Sequence, residues 1–96
     1  MVTHVVLFRL KDRSQENIRK AKDVLLGLQG RIPELRGYEV GSDALHSERS
    51  YDIALIAKFD DMAGLNAYQR HPEHVNAAEY MRQVRESAVA VDYEIP

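Results

Sequence analysis

The stretch VTHVVLFRL, residues 2–10, decides the fold because it has the composition of a β-strand and is apolar on both faces. Alternation along a strand divides its side chains between the two faces of a sheet. One face carries His4, Val6, Phe8 and Leu10, and the other carries Thr3, Val5, Leu7 and Arg9. Such a strand needs cover on both sides, so we expect helices on one face of its sheet and a second protein surface on the other.

The segments that follow alternate between helical and strand patterns. We predict a helix from Ser14 to about Gln29, ended by Gly30, and a short helix that starts after Asp60 or Asp61 and stops at Pro72. A further helix is predicted over residues 72–85, and strands over residues 37–45, 51–59 and 88–95. The order is βαββαβ, which predicts an α+β, ferredoxin-like domain with a four-stranded antiparallel sheet.

The same patterns assign faces to the side chains. The final helix is expected to direct Val75, Ala78, Met81 and Val84 toward the sheet. The sheet face without helices is expected to expose Val5, Leu7, Ala54, Ile56, Ala88 and Ala90. An apolar patch of this kind marks an interface, so we predict a homodimer through the sheet face, closing as a dimeric α/β barrel. A monomer with an exposed apolar face is the alternative.

Composition narrows the class of protein. Ninety-six residues form a single domain, 1–96, and a net charge of −2 gives no reason to expect nucleic acid or an anionic membrane as partner. The chain has no cysteine, which excludes disulfides and thiolate chemistry. Neither a signal peptide nor an apolar membrane span is recognisable, so a cytoplasmic protein is the expectation.

The stretch YQRHPEHV, residues 68–75, holds two of the four histidines. On one unbroken helix Tyr68 and His74 would lie about 120° apart. Pro72 disfavours helical geometry at His71 and suits the first turn of a new helix, so the chain can bend and bring Tyr68 and His74 to one pocket. The helix start favours a neutral His74, although Glu73 in the same turn opposes this.

These residues have structural readings as well. Tyr68 and His4 fit a packed core, and His71 and His74 fit a helix start. His71 and His74 without a third ligand do not define a metal site, and no metal or cofactor is predicted. The cluster of Arg82, Arg85 and Glu86 reads as a solvated helix face. No phosphate-binding glycine loop or nucleophile elbow is present.

Four segments in order resemble the stress-responsive A/B barrel (Dabb) family: HVVLFRLKD, IPELRGYEVG, YDIALIAKFDD and YQRHPEHV. The resemblance covers essentially the whole chain and implies dimeric α/β barrels with a ligand space between sheet and helices. One plant branch of the family contains polyketide cyclases related to olivetolic acid cyclase. That branch implies Tyr68 and His74 as a catalytic pair and His4 at the pocket border. A further cyclase histidine is replaced here by Ile53, and the cyclase's helix-one aromatics are missing.

Three hypotheses follow for the function. In the first, each protomer binds a small apolar or aromatic ligand between sheet and helices. The ligand-binding residues are then Val6, Phe8, Ile53, Leu55 and His71, beside His4, Tyr68 and His74. In the second, a cofactor-free cyclase or isomerase uses His74 as base, the Tyr68 hydroxyl to stabilise an enolate oxygen, and His4 to orient the substrate. In the third, the layers pack without a cavity.

Overall fold

The computed structural model describes all 96 residues, Met1–Pro96, and confirms the ferredoxin-like α+β fold. The strands are β1 (Val2–Leu10), β2 (Gly37–Ser42), β3 (Ile53–Phe59) and β4 (Arg85–Glu94), and the helices are α1 (Gln15–Leu26), α2 (Met62–Arg70) and α3 (Pro72–Val84). They form one antiparallel sheet in the order β2-β3-β1-β4. The longest helix has 13 residues, and none has the length and apolar character needed to cross a bilayer.

β1 is a central strand, between β3 and β4. Val6 lies opposite Leu55 of β3 on one side and Ala90 of β4 on the other, so these three side chains share the face that the helices cover. This helix face carries the core, which includes the fully buried Val2, Leu55, Ala57 and Phe59.

Several boundaries differ from the predicted ones. α1 begins after the predicted cap, Ser14, whose hydroxyl accepts a hydrogen bond from the backbone N–H of Asn17 at 3.3 Å. It ends at Leu26 rather than Gln29, because the N–H groups of Leu28 and Gln29 bond to carbonyls three residues back, in tight turns. Gly30, with φ of 79°, then reverses the chain in the left-handed region that glycine tolerates.

The loop between β2 and β3 is longer than predicted. β2 stops at Ser42 because the carboxylate of Asp43 accepts the backbone N–H of His46 at 2.6 Å and shapes a loop. β3 starts at Ile53, after the buried Asp52, whose carboxylate accepts the N–H of Leu10 at 2.8 Å. β4 starts at Arg85, earlier than predicted, because Arg85 already pairs with Leu10.

The predicted inward face of α3 was partly wrong. The helix buries Ala77 and Met81, one turn apart, whereas Val75 is half exposed. Since consecutive helix positions are rotated by about 100°, Val75 points about 160° away from Ala77. Ala78 and Val84 are intermediate in burial.

The assignment of faces in β4 was also wrong. Ala88 and Ala90 pair with Phe8 and Val6 and therefore lie on the helix face. The opposite face, here called the open face, instead presents larger side chains. Its apolar members are Val5, Leu7, Ala54, Ile56, Val89, Val91 and Tyr93. The small residues of β4 thus leave space under the helices, and the large residues are exposed.

Candidate functional site

The junction of α2 and α3 brings Tyr68 and His74 together. His71 is extended (φ −64°, ψ 135°), so α2 ends there and Pro72 opens α3 in a new direction. The ring centroids of Tyr68 and His74 lie 4.4 Å apart, and Tyr68 also contacts Phe59 at 5.0 Å. The bend predicted from Pro72 is therefore present, and the two rings pack against each other.

His4 of β1 joins this pair from the sheet. Its ring centroid lies 6.1 Å from that of Tyr68, edge to face, and its side chain is buried. Its Nδ1 hydrogen-bonds the carboxylate of Asp92, its direct partner in the β1–β4 register. A carboxylate on Nδ1 orients the ring and leaves Nε2 for a ligand.

Sequence reasoning missed Asp92. The alternation of β4 was visible, but pairing Asp92 with His4 requires the register between the first and last strands. That register depends on where β4 begins, and β4 begins three residues earlier than its pattern suggests.

The surroundings of His74 favour its neutral imidazole form. Its Nδ1 lies 3.2 Å from the carbonyl oxygen of Gln69, which can only accept, so Nδ1 carries the proton and Nε2 a lone pair. Burial lowers the pKa of His74, the Gln69 carbonyl partly offsets this, and nearby His4 lowers the pKa further. Glu73 does not oppose this tuning, because its carboxylate is drawn toward Arg31, 3.8 Å away.

Tyr68 retains its proton at neutral pH. Burial raises the pKa of Tyr68 to about 12, despite the opposing hydrogen bond with the hydroxyl of Tyr38. The Tyr38 hydroxyl donates to the carbonyl of Leu25 at 2.8 Å. The phenol of Tyr68 is thus a hydrogen-bond donor at the cavity wall and not a base.

A cavity of about 400 Å³ lies between the sheet and helix α3, and His4, Tyr68 and His74 form part of its wall. This volume lies within the range of small-molecule sites. Eleven of its 16 lining residues are hydrophobic, so the wall is apolar with a few polar groups. The remaining lining residues are Val6, Phe8, Leu25, Leu55, Gln69, Ala77, Ala78, Met81, Arg82, Arg85, Ala88, Val89 and Ala90.

Two of the predicted ligand-binding residues lie outside this lining. Ile53 is buried at the start of β3, where it pairs with Phe8 and Ser42. His71 caps α3, and its Nδ1 accepts the backbone N–H of Glu73 at 3.1 Å. The other predicted residues, His4, Val6, Phe8, Leu55, Tyr68 and His74, are all in the lining.

The walls supplied by α3 and β4 were not predicted. Ala77 and Arg82 of α3 and Ala88 and Ala90 of β4 line the cavity because both elements are rotated relative to the predicted faces. Arg82 is exposed, as its prediction on a solvated helix face requires, but Arg82 and the partly exposed Arg85 also line the cavity. The alanines at positions 88 and 90 of β4 were the available signal.

The chain is similar along its length to other small proteins. An uncharacterised protein of Streptomyces coelicolor is 30% identical over 98% of this chain and 99% of its own. A dimeric protein of unknown function with a ferredoxin-like fold from Bacteroides fragilis is 33% identical, with a TM-score of 0.84 over 98% of this chain and 95% of that one. A dimeric ferredoxin-like protein of unknown function from Thermobifida fusca is 32% identical, with a TM-score of 0.87 over 98% and 90%.

The family model of the stress responsive A/B barrel domain matches residues 2–95, almost the full length. This match includes every strand and helix described above. The chain therefore belongs to the stress responsive A/B barrel domain (Dabb) family.

Proposed function

We propose that this Dabb protein binds a small apolar or aromatic molecule between the sheet and helix α3 of each protomer. The observation that carries the proposal is the cavity of about 400 Å³ with a mostly hydrophobic wall. Well-packed domains contain few voids larger than a water molecule, so a space of this size beside oriented polar groups is characteristic of a ligand site.

The position of the polar groups supports an oriented ligand. Val6, Leu55 and Met81 supply apolar contact, whereas the imidazoles of His4 and His74 present polar atoms at one end. Asp92 hydrogen-bonds the His4 imidazole, and the carbonyl of Gln69 hydrogen-bonds the His74 imidazole. Pre-oriented groups of this kind lower the ordering cost of binding.

Filling the cavity tests the proposal. The probe is N-phenyl-1-naphthylamine, a neutral aromatic whose fluorescence rises in apolar surroundings. Ala78→Leu adds three carbons inside the cavity, and Ala63→Leu adds them at an exposed position of α2 as the matched control. We expect saturable binding to the wild type and to Ala63→Leu, and affinity at least about tenfold weaker for Ala78→Leu, the equivalent of about 1.4 kcal/mol. Equal binding by all three proteins, or no binding to the wild type, would contradict the proposal.

The second candidate is a cofactor-free isomerase or cyclase, favoured by the convergence of Tyr68, His74 and the His4–Asp92 pair. In its first step Nε2 of His74 takes a proton from a carbon next to a carbonyl. The C–H electron pair moves into an enolate, whose oxygen accepts a hydrogen bond from Tyr68. The imidazolium returns the proton to a different atom of the product, and His4 orients the substrate.

Proton exchange separates the two candidates. Uptake of deuterium at the α-carbons of 2-tetralone in D₂O is followed by NMR with wild type and His74→Ala. An enzyme of this type accelerates exchange above buffer, and His74→Ala loses about 10²-fold or more of that acceleration. A wild type that binds the ketone without accelerating exchange is a binding protein only. Undiminished exchange by His74→Ala would remove this histidine from the mechanism.

The functional unit in this proposal is a homodimer formed through the open face. Leu7, Val89, Val91 and Tyr93 are between 36% and 55% exposed in the protomer, on neighbouring strands of one sheet. A contiguous apolar sheet face of this kind is stabilised by covering it with another surface. The two solved relatives from Bacteroides fragilis and Thermobifida fusca, both described as dimeric, support a second copy as the cover.

A further inference from the structure

The cavity has two chemically different ends. The histidine end contains His4, Tyr68 and His74, and the arginine end contains Arg82 and Arg85. Arg82 follows His74 by eight residues on α3, which corresponds to about 12 Å along the helix axis. A molecule in this cavity therefore meets hydrogen-bonding groups at one end and cationic groups at the other end, about 12 Å away.

The arginine end carries an unneutralised positive charge. The lining of the cavity contains no aspartate and no glutamate. Arg82 forms an ion pair with Glu79, one turn earlier on α3. Arg85 makes no ion pair, and the adjacent Glu86 pairs with Arg9 at 3.3 Å.

The position of Arg85 makes its guanidinium available to a ligand. It is the first residue of β4 and the cap of α3, and its side chain is only partly exposed. Its backbone is fixed by pairing with Leu10 and by an N–H bond to the carbonyl of Met81. An unpaired, half-buried arginine on a fixed backbone is well suited to bind an anion with two parallel hydrogen bonds.

We infer that the ligand is an apolar or aromatic carboxylic acid whose carboxylate binds Arg85 while its apolar body extends along α3 toward Tyr68 and His74. The inference rests on the proposed function and adds the chemical class of the ligand. A monoanion fits better than a phosphate, because one free guanidinium balances one negative charge and Arg82 is already paired. The apolar wall between the two ends suits a body of aromatic size.

Matched acid and amide probes test this inference by calorimetry. The probes are 2-naphthoate and 2-naphthamide, which share a ring system and differ in charge. We expect the wild type to bind the acid at least about tenfold more tightly, as a charge-assisted hydrogen-bonded pair provides. Arg85→Ala removes this preference and Arg85→Lys restores part of it. Arg70→Ala, at an exposed arginine of α2 that makes no ion pair, preserves it.

The outcomes distinguish this inference from the proposed function. Equal affinity for acid and amide, or an acid preference that survives Arg85→Ala, overturns the inference and leaves apolar binding intact. Tighter binding of 2-naphthyl phosphate than of 2-naphthoate overturns the carboxylate head group. Failure of both naphthyl probes while N-phenyl-1-naphthylamine binds also overturns the inference. Failure of all of these probes removes the proposed function as well.

Discussion

Burial is the main cause of the lowered pKa of His74 and favours the neutral imidazole. The lone pair of Nε2 is then available at neutral pH, as either a hydrogen-bond acceptor or a base requires. Because the pKa of His74 is lowered in the folded protein, the unfolded chain binds a proton at that side chain more readily.

This difference predicts a pH dependence of stability. The stabilisation from neutral His74 is complete above the usual imidazole pKa of 6.5 and is lost as the pH falls from there to the folded-state pKa. His74→Gln, which has no imidazole, lacks this component. The measurement is the free energy of unfolding by urea for both proteins between pH 4 and pH 8, roughly the range in which imidazoles titrate. Curves that stay parallel over this range would contradict the lowered pKa.

A second residue-scale prediction concerns Asp52, whose buried carboxylate joins β1, the start of α1 and β3. It accepts the N–H of Leu10 at 2.8 Å and Nε of Arg13 at 2.9 Å. Asp52→Ala leaves the buried Leu10 N–H without a partner, so we expect a loss of about 2–3 kcal/mol in urea unfolding. Asp23→Ala, at an exposed α1 position without an ion pair, changes stability by less than about 0.5 kcal/mol. A similar change in both variants would exclude the network as the cause.

At the scale of elements, His71 belongs to the helix start rather than to the cavity. Its Nδ1 accepts the N–H of Glu73, so it caps α3. We expect His71→Ala to cost about 1 kcal/mol of stability, and His71→Asn, which retains a capping oxygen, to cost much less. Binding of N-phenyl-1-naphthylamine is unchanged in both. Weaker probe binding in the Asn variant would place His71 in the ligand site after all.

The bend at Pro72 can be predicted from the sequence. Proline has no backbone N–H and restricts the residue before it, so the break between α2 and α3 follows from local chemistry. The inward face of α3 does not follow from local chemistry. Val75 and Ala77 are both compatible with a core position, and only the packing of α3 against α1 and α2 selects Ala77.

The inward face of β4 also does not follow from its sequence. Over residues 88–91 alanine alternates with valine, so both faces of the strand are apolar there. Since the period of a strand is two, the choice between the faces needs its register against β1. That register places Ala88 and Ala90 on the helix face, beside the cavity, and the alternate residues Val89 and Val91 on the open face.

At the scale of the whole molecule, the open face predicts assembly. Val91→Lys places a charge on this face, beside Val5. Val75→Lys is the matched control, because Val75 is similarly exposed but lies on α3. We expect wild type and Val75→Lys to sediment as dimers at micromolar concentration and Val91→Lys to sediment as a folded monomer, checked by circular dichroism. A wild type that is monomeric at that concentration would contradict the dimer.

By itself the sequence determined the elements, their order, and therefore the ferredoxin-like fold, because periodicity, caps and proline act over a few residues. It also indicated Tyr68, His74 and His4 as residues of one pocket. Only the tertiary structure decided what completes that pocket: Asp92 behind His4, the alanines of β4, and Arg82 and Arg85 at the far end. These positions depend on the register of β4, which is set by its pairing with β1 at the other end of the chain, and on the rotation of α3, which is set by its packing against α1 and α2.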